Sequence, residues 1–302
     1  MPEYPDIAVY LACLAPRVLH QPVEAVRLAS PFVVRSADPP IAALVGQPVE
    51  RLSRLGKRLV FAFPEGLYLV MHLMIAGRLH WKPRGTKVPG KIGLVAFDFP
   101  TGTLTFTEAS TQKRASLHLV RGERALAEFD RGGLEVMEAS TKRFAAALRE
   151  ENHTLKRTLT DPRLFSGIGN SYSDEILHCA QLSPVKLSQQ LSDDEIVRLH
   201  RATLQTLTEW TRRLLAEAGE GFPEKVTAFR PQMAVHGKYR QPCPRCGAPV
   251  QRIVHASNET NYCAPCQTGG KLLADRALSK LLKADWPKTL EELEESRVAN
   301  RT

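Results

Sequence analysis

Cys243-Pro244-Arg245-Cys246, then sixteen residues, then Cys263-Ala264-Pro265-Cys266 is the stretch that decides how the C-terminal part of this 302-residue chain is built. Four thiolates in two such pairs bind one Zn²⁺ tetrahedrally and leave no open position, so the ion they imply is structural. Between the pairs, Val250 to Val254 is apolar and β-branched and Thr260 to Tyr262 lies across a turn, which predicts a β-hairpin. Its tip, His255-Ala256-Ser257-Asn258-Glu259, is placed to reach a ligand. Cys13 and Cys179 stand alone in apolar helical patterns and read as small buried hydrophobes.

N-terminal to the finger the chain reads as helical. Ser140 opens a helix through Phe144 and Leu148, a second runs from Leu155 to Asp161, and a third from Ser171 to Ala180. The longest, from about 193 to 218, begins with the capping box Ser192-Asp193-Asp194-Glu195 and stops at Gly219 and Gly221. Between the second and third helices, Asp161 to Asn170 includes Gly167-Ile168-Gly169-Asn170, a tight turn whose glycines allow close backbone approach. The N–H groups that open the next helix favour an anion such as phosphate, although an ordinary inter-helix turn has the same composition. Residues 219 to 234 lack periodicity and read as a mobile, ligand-recognising loop.

Residues 23 to 120 change to short strands rich in β-branched and aromatic side chains: Val23 to Leu28, Arg58 to Phe63, Leu67 to Leu73, Ile92 to Phe99, Thr103 to Thr107 and Ala115 to Val120. Turn residues separate them, and an antiparallel β-sandwich is expected. Before it, Asp6 reads as the cap of a helix with Ile7, Tyr10, Leu11 and Leu14 on one face, ending at Pro16. The expected class is α+β and multidomain: a sandwich domain over 1–133, a helical domain over 134–234, a zinc finger over 235–268 and a helical tail over 269–302, with an amphipathic helix at Asp275 to Lys283 and an acidic, solvated one at Leu290 to Ser296.

The first residues, Met1-Pro2-Glu3, carry chemistry if Met1 is removed, since a secondary amine then stands beside a carboxylic acid. An α-amino group has a pKa of roughly 8, so part of it is a free nucleophile at neutral pH. Attack on an aldehyde-level carbon such as C1′ of a deoxyribose gives an iminium ion, an electron sink. A proline after a start codon is in itself ordinary. Forty-one Lys and Arg against 32 Asp and Glu give a net charge of +9, which suits a polyanion. No apolar run approaches the roughly 20 residues of a membrane span and no leader pattern opens the chain, so a cytoplasmic location is expected; association with the nucleoid and a monomeric state are expected as well.

N-terminal Pro-Glu, a Gly-Lys pair in a sheet, a glycine turn ending in Asn and a four-cysteine finger, in that order from residue 2 to about 267, resemble the formamidopyrimidine-DNA glycosylase and endonuclease VIII family. The resemblance implies a β-sandwich and a helix-two-turn-helix plus zinc-finger domain, with double-stranded DNA bearing damaged bases or abasic sites as partner. It implies Pro2 as nucleophile, Glu3 as its acid, and Lys57 in Leu55-Gly56-Lys57-Arg58 as the sandwich lysine. His72, Gly167, Gly169 and Asn170 would hold phosphates, and Met74 or Ile75 would fill the vacated base stack. The implied reaction flips out and expels a damaged base, then cleaves the strand through a Schiff base.

The chain also departs from that pattern. At the finger tip it has Asn258 where the family carries an arginine, which removes charge and donors from the phosphate grip. Glu108 to Arg114 replaces an Asp-Pro-Arg-Arg-Phe-Gly-like loop with void-filling side chains, and Asp6 stands in place of Glu. A second reading, a zinc-finger protein that binds distorted DNA without catalysis, leaves the Pro2-Glu3 pair without a purpose.

Overall fold

A computed structural model describes residues 1–224, 226–255, 258–273 and 287–292. It divides into two compact units, Met1–Gly133 with Leu207–Ala228, and Leu134–Thr206 with Phe229 onward.

The first unit opens with helix α1, Tyr4–Val18. Asp6 is not its cap, as the sequence pattern indicated; Glu3 is, and Asp6 sits one turn in, accepting the Glu3 N–H at 2.9 Å. Pro5 in the first turn has no N–H to leave unsatisfied, so the helix starts earlier than the apolar period shows. Pro16 lies inside the last turn and the helix continues to Val18, where expectation ended it at Pro16.

Eight strands follow: β1 (Ala25–Leu28), β2 (Arg51–Leu55), β3 (Arg58–Phe63), β4 (Leu67–His72), β5 (Gly77–Lys82), β6 (Gly93–Phe99), β7 (Gly102–Glu108) and β8 (Ser116–Arg121). They form two antiparallel four-stranded sheets, in the orders β1-β6-β7-β5 and β2-β3-β4-β8. Facing side chains such as Phe61, Phe63, Met71, Phe97, Phe106 and Leu117 enclose one core with Ile7, Tyr10 and Leu14 of α1. Strand β3 is buried on both faces, because Val60 and Ala62 meet a second apolar cluster with Leu126 and Phe129. Leu126 belongs to the short helix α2, Glu123–Ala127.

Strands β2 and β5 were not among those expected. In β5 the inward pair Leu79 and Trp81 alternates with Arg78, His80 and Lys82, a half-polar strand that apolar run length overlooks. The segment from Gly219, after the long helix Asp193–Ala218, also differs from the mobile loop expected. Phe222 lies 5.7 Å from the Tyr10 ring, Val226 is buried in the sandwich core, and the Glu224 carboxylate meets His80 Nδ1 at 2.6 Å and Lys82 Nζ at 2.9 Å.

The second unit contains α3 (Thr141–Glu150), α4 (Leu155–Thr160), α5 (Asn170–Ala180) and the first part of α6 (Asp193–Ala218). The Ser140 hydroxyl accepts the Arg143 N–H at 3.3 Å, and Ser192 and Glu195 exchange the two bonds of a capping box at 2.9 and 3.2 Å. The finger follows as hairpin strands β9 (Gln251–His255) and β10 (Asn258–Tyr262), then α7 (Ala264–Thr268). Leu272 is buried beside Ile253 and Tyr262, and the half-buried Leu290 packs on the same cluster, while Glu291 and Glu292 are exposed. The helix expected at Asp275 to Lys283 lies outside the described residues, as do Ala256 and Ser257 at the hairpin tip and Leu293 to Ser296 of the last helix. Among the described residues no helix is long and apolar enough to cross a membrane.

Candidate active site and metal centre

In the first unit the chain terminus, one end of the β2-β3-β4-β8 sheet and one turn come together. Pro2 and Glu3 are buried, Glu3 to 2 % exposure, because α1 packs its first turn into the sandwich. The Arg54 guanidinium lies 4.6 Å over the Tyr4 ring and donates to the Gly56 carbonyl at 2.6 Å, tying α1 to the two-residue turn Gly56-Lys57. Gly56 has φ +62°, a left-handed conformation that suits glycine. Arg58 pairs with His72 across β3 and β4, so Lys57 and His72 stand at the same end of the sheet.

Burial pushes the Met1 ammonium below its ordinary value, Arg78 and Lys57 push in the same direction, and Glu3 and Asp6 oppose them. The start of the chain therefore lies in surroundings that disfavour a charged amine, with two cations near. Arg78 is the residue that the sequence reading missed. It donates to the Ile75 and Gly77 carbonyls at 3.1 and 2.6 Å and so staples the turn Met74-Ile75-Ala76. Met74 adopts φ +51°, uncommon for a side-chain-bearing residue, and any Cβ on Gly77 would collide with the Leu73 carbonyl. The outcome of this tight turn is that Ile75 is 62 % exposed. Gly77 pairs with Glu108 across β5 and β7, which places the turn beside the loop 109–114. That loop hangs on the buried Glu108 carboxylate, which accepts the N–H groups of Arg114 and Ala115 at 3.0 and 3.2 Å.

Burial also drives the His72 imidazole down to about 4, with Arg58, Lys57 and His118 adding to the effect. Since an unfolded histidine titrates near 6.5, the unfolded chain takes up a proton first as the pH drops. The stability carried by neutral His72 is thus complete above about pH 6.5 and is lost as the pH falls toward 4. Thermal unfolding followed from pH 7 to pH 4 is expected to show a shallower decline for His72→Asn than for the wild type; parallel curves would contradict the burial argument.

In the second unit Gly167 has φ +81° and Gly169 caps α5 without a side chain, leaving the first-turn N–H groups of a buried helix to other partners. Asn170 opens α5 and donates from Nδ2 to the Glu259 carbonyl at 3.0 Å, next to Asn258, which is exposed at the hairpin tip. A buried network holds this arrangement. Lys156 Nζ donates to the Asn170 carbonyl and to Asp174 Oδ1, both at 2.6 Å, and Asp174 Oδ2 meets His236 Nδ1 at 2.8 Å. The Glu175 carboxylate accepts the N–H groups of Ala234, Val235 and His236 at 2.8 to 2.9 Å. Sequence spacing gave no sign of these partners, which lie 14 and 18 residues apart for Lys156 and 59 to 62 for Asp174 and Glu175 with residues 234–236.

The sulfurs of Cys243, Cys246, Cys263 and Cys266 all lie within 4.8 Å of one another, with Cys243–Cys266 at 4.0 Å and Cys246–Cys263 at 3.4 Å. A tetrahedron of Zn–S bonds near 2.3 Å has edges of about 3.8 Å, so the four thiolates fit zinc and leave it no open position.

A two-sheet domain with a buried N-terminal Pro-Glu pair, followed by a helical unit with a four-cysteine hairpin, defines the helix-two-turn-helix class of DNA repair glycosylases. Residues 1–116 match the formamidopyrimidine-DNA glycosylase N-terminal domain, 134–213 its H2TH domain, and 240–269 the zinc finger found in FPG and IleRS. The chain belongs to the formamidopyrimidine-DNA glycosylase family. It is 31% identical over 282 residues to the formamidopyrimidine-DNA glycosylase of Thermus thermophilus, covering 89% of this chain and all of that one. The enzyme of Ligilactobacillus salivarius is 30% identical over 278 residues, 88% of this chain and 99% of its own. Among solved structures, a complex of Lactococcus lactis Fpg with abasic-site DNA superposes with a TM-score of 0.78 at 25% identity, over 88% of this chain and 99% of that one.

Proposed function

We propose that this chain is a bifunctional DNA glycosylase and abasic-site lyase of base-excision repair, with Pro2 as its nucleophile once Met1 is removed. The observation that carries the reading is the buried Pro2-Glu3 pair, at a chain start where burial and the charges of Arg78 and Lys57 already push the Met1 ammonium down. The Pro2 nitrogen attacks C1′ of a flipped nucleotide, the C1′–base bond breaks, and the base leaves with a proton. The C1′–O4′ bond of the resulting aminal then breaks, with O4′ taking up a proton; the iminium so formed withdraws electrons from the sugar, a C2′ proton is lost, and the bond to the 3′-phosphate breaks by β-elimination. Glu3, buried one residue away, shuttles the protons. Lys57, His72, Asn170 and the N–H groups at Gly167 to Asn170 grip phosphates, which positions the strand without reading its sequence. The reading is supported by the DNA that a relative has been crystallised with: Lactococcus lactis Fpg with abasic-site DNA, and a mutant of it with Fapy-dG-containing DNA.

The test is a panel of duplexes that each carry one lesion: oxidised pyrimidine, ring-opened purine, hydantoin or abasic site. At least one damaged base should be released and the strand nicked at that site; intact strands throughout would remove the lyase assignment. Within the panel, Asn258→Arg should raise the share of δ-elimination product, because a guanidinium adds charge and a fork of donors at the finger tip. An unchanged product ratio would place Asn258 away from the phosphates.

Ile75 takes the role of wedge, since a turn that holds an aliphatic side chain 62 % exposed has no folding benefit from it. Unstacking a base step costs a few kcal/mol, part of which an inserted side chain replaces. Ile75→Gly is expected to slow base release from duplex DNA about tenfold and to leave cleavage of a single-stranded abasic oligonucleotide within twofold. Equal losses on both substrates would point to a folding defect instead.

A further inference from the structure

The zinc ligands are tied to helix α5 as well as to the metal. His178, in the last turn of α5, is buried, and its Nε2 lies 3.2 Å from Cys243 Sγ. A second tie runs through Gln267 of α7, whose Oε1 accepts the Cys263 N–H at 2.8 Å and whose Nε2 donates to the Leu182 carbonyl at 3.0 Å, just past the end of α5. One ligand from each cysteine pair is thus referenced to the same helix. The opposite end of α5 holds Asn170, bonded to Glu259 of the hairpin.

We propose that His178 is a positioning residue of the zinc centre: it donates Nε2–H to the Cys243 thiolate and makes the lifetime of the metal in the finger depend on α5. A zinc-bound thiolate has no proton to give, so the imidazole supplies it and carries its hydrogen on Nε2. Zn²⁺ with four thiolates has a net charge of −2, and an N–H donor draws part of that charge away from Cys243. The sulfur then becomes a poorer nucleophile toward electrophiles and oxidants, and its rotamer is fixed with two χ angles of the histidine already immobilised by burial. Outer partners of metal ligands are typically worth 10–100-fold in metal affinity.

His178→Phe keeps a ring of similar size and removes the donor, whereas His178→Gln keeps an N–H donor. In the zinc-loaded full chain, release of zinc to a colorimetric chelator is expected to be about tenfold faster for His178→Phe and intermediate for His178→Gln. In cobalt-substituted protein the thiolate-to-metal charge-transfer band should move to lower energy in His178→Phe and return toward the wild type in His178→Gln, a shift that packing alone would not produce. Histidine nitrogen NMR of the wild-type zinc protein should show the hydrogen on Nε2, and this measurement stands if His178→Phe fails to fold. A hydrogen on Nδ1, or a folded His178→Phe with the wild-type band position and release within twofold, would overturn the proposal. None of these readouts depends on the glycosylase assignment.

Discussion

Incubated with abasic-site DNA and borohydride, the wild-type protein is expected to form a covalent adduct, and a version with one extra residue before Pro2 is expected to form none. Reduction traps the iminium as a stable amine, so the adduct reports a bond between an amine of the protein and C1′, and the lengthened version tests whether that amine is the terminal one. An added residue turns that nitrogen into an amide, which has no usable lone pair, and the loss should exceed about a thousandfold. Glu3→Gln keeps the amine and removes the proton carrier. General acid–base groups contribute typically 10²–10⁴-fold, so trapping by Glu3→Gln should fall by about that factor while abasic-site affinity changes little. Wild-type protein that binds abasic DNA tightly but gives no adduct would instead favour a binder that has lost catalysis. Peptide mapping of the adduct should place the sugar on Pro2; a lysine in its place would mean that the buried terminus has another use.

Removal of zinc should have the second largest effect. The apolar clusters of the finger are small: Val235, Cys243, Val250 and Cys263 in one, Ile253, Tyr262, Ala264 and Leu272 in the other, and two of these eight are ligands themselves. A structural Zn²⁺ contributes about 10–16 kcal/mol of apparent binding energy to folding in small finger peptides, far more than such clusters can supply. Chelation or Cys263→Ser is therefore expected to unfold residues 240–269, leaving the sandwich protected from protease. Through the Asn170–Glu259 bond and the Glu175 bonds to residues 234–236, it should also release the start of α5. Affinity for abasic-site DNA, measured by anisotropy, should drop about a hundredfold. Full affinity after complete chelation would show that the finger takes no part in binding.

The Ser140 cap and the Ser192–Glu195 capping box could be read in the sequence because each is satisfied by atoms within a few residues of it, and Cys-x2-Cys twice because the pair spacing is itself a metal-ligand pattern. Strands β3, β4, β6 and β7 were legible because two-sided burial writes itself as an unbroken run, as in Arg58–Phe63. Strand β5 was not, because its polar alternate positions are used by partners elsewhere, His80 and Lys82 by Glu224 and Arg78 by the Ile75 turn. Likewise nothing near Phe222 or Glu224 reveals that Tyr10 and His80 anchor them, so the segment read as loose.

By itself, then, the sequence determined what short-range chemistry can specify: a four-thiolate metal site, capped helices, a sandwich-like run of strands and an amine next to a carboxyl group at the start of the chain. Tertiary structure alone decided which charges surround that amine, that Ile75 stands out on a strained turn, that Glu175 and Asp174 fasten α5 to the finger, and that His178 faces a zinc ligand. Those pairings join positions up to about seventy residues apart or more. They follow from how layers pack, and no local propensity or spacing encodes them.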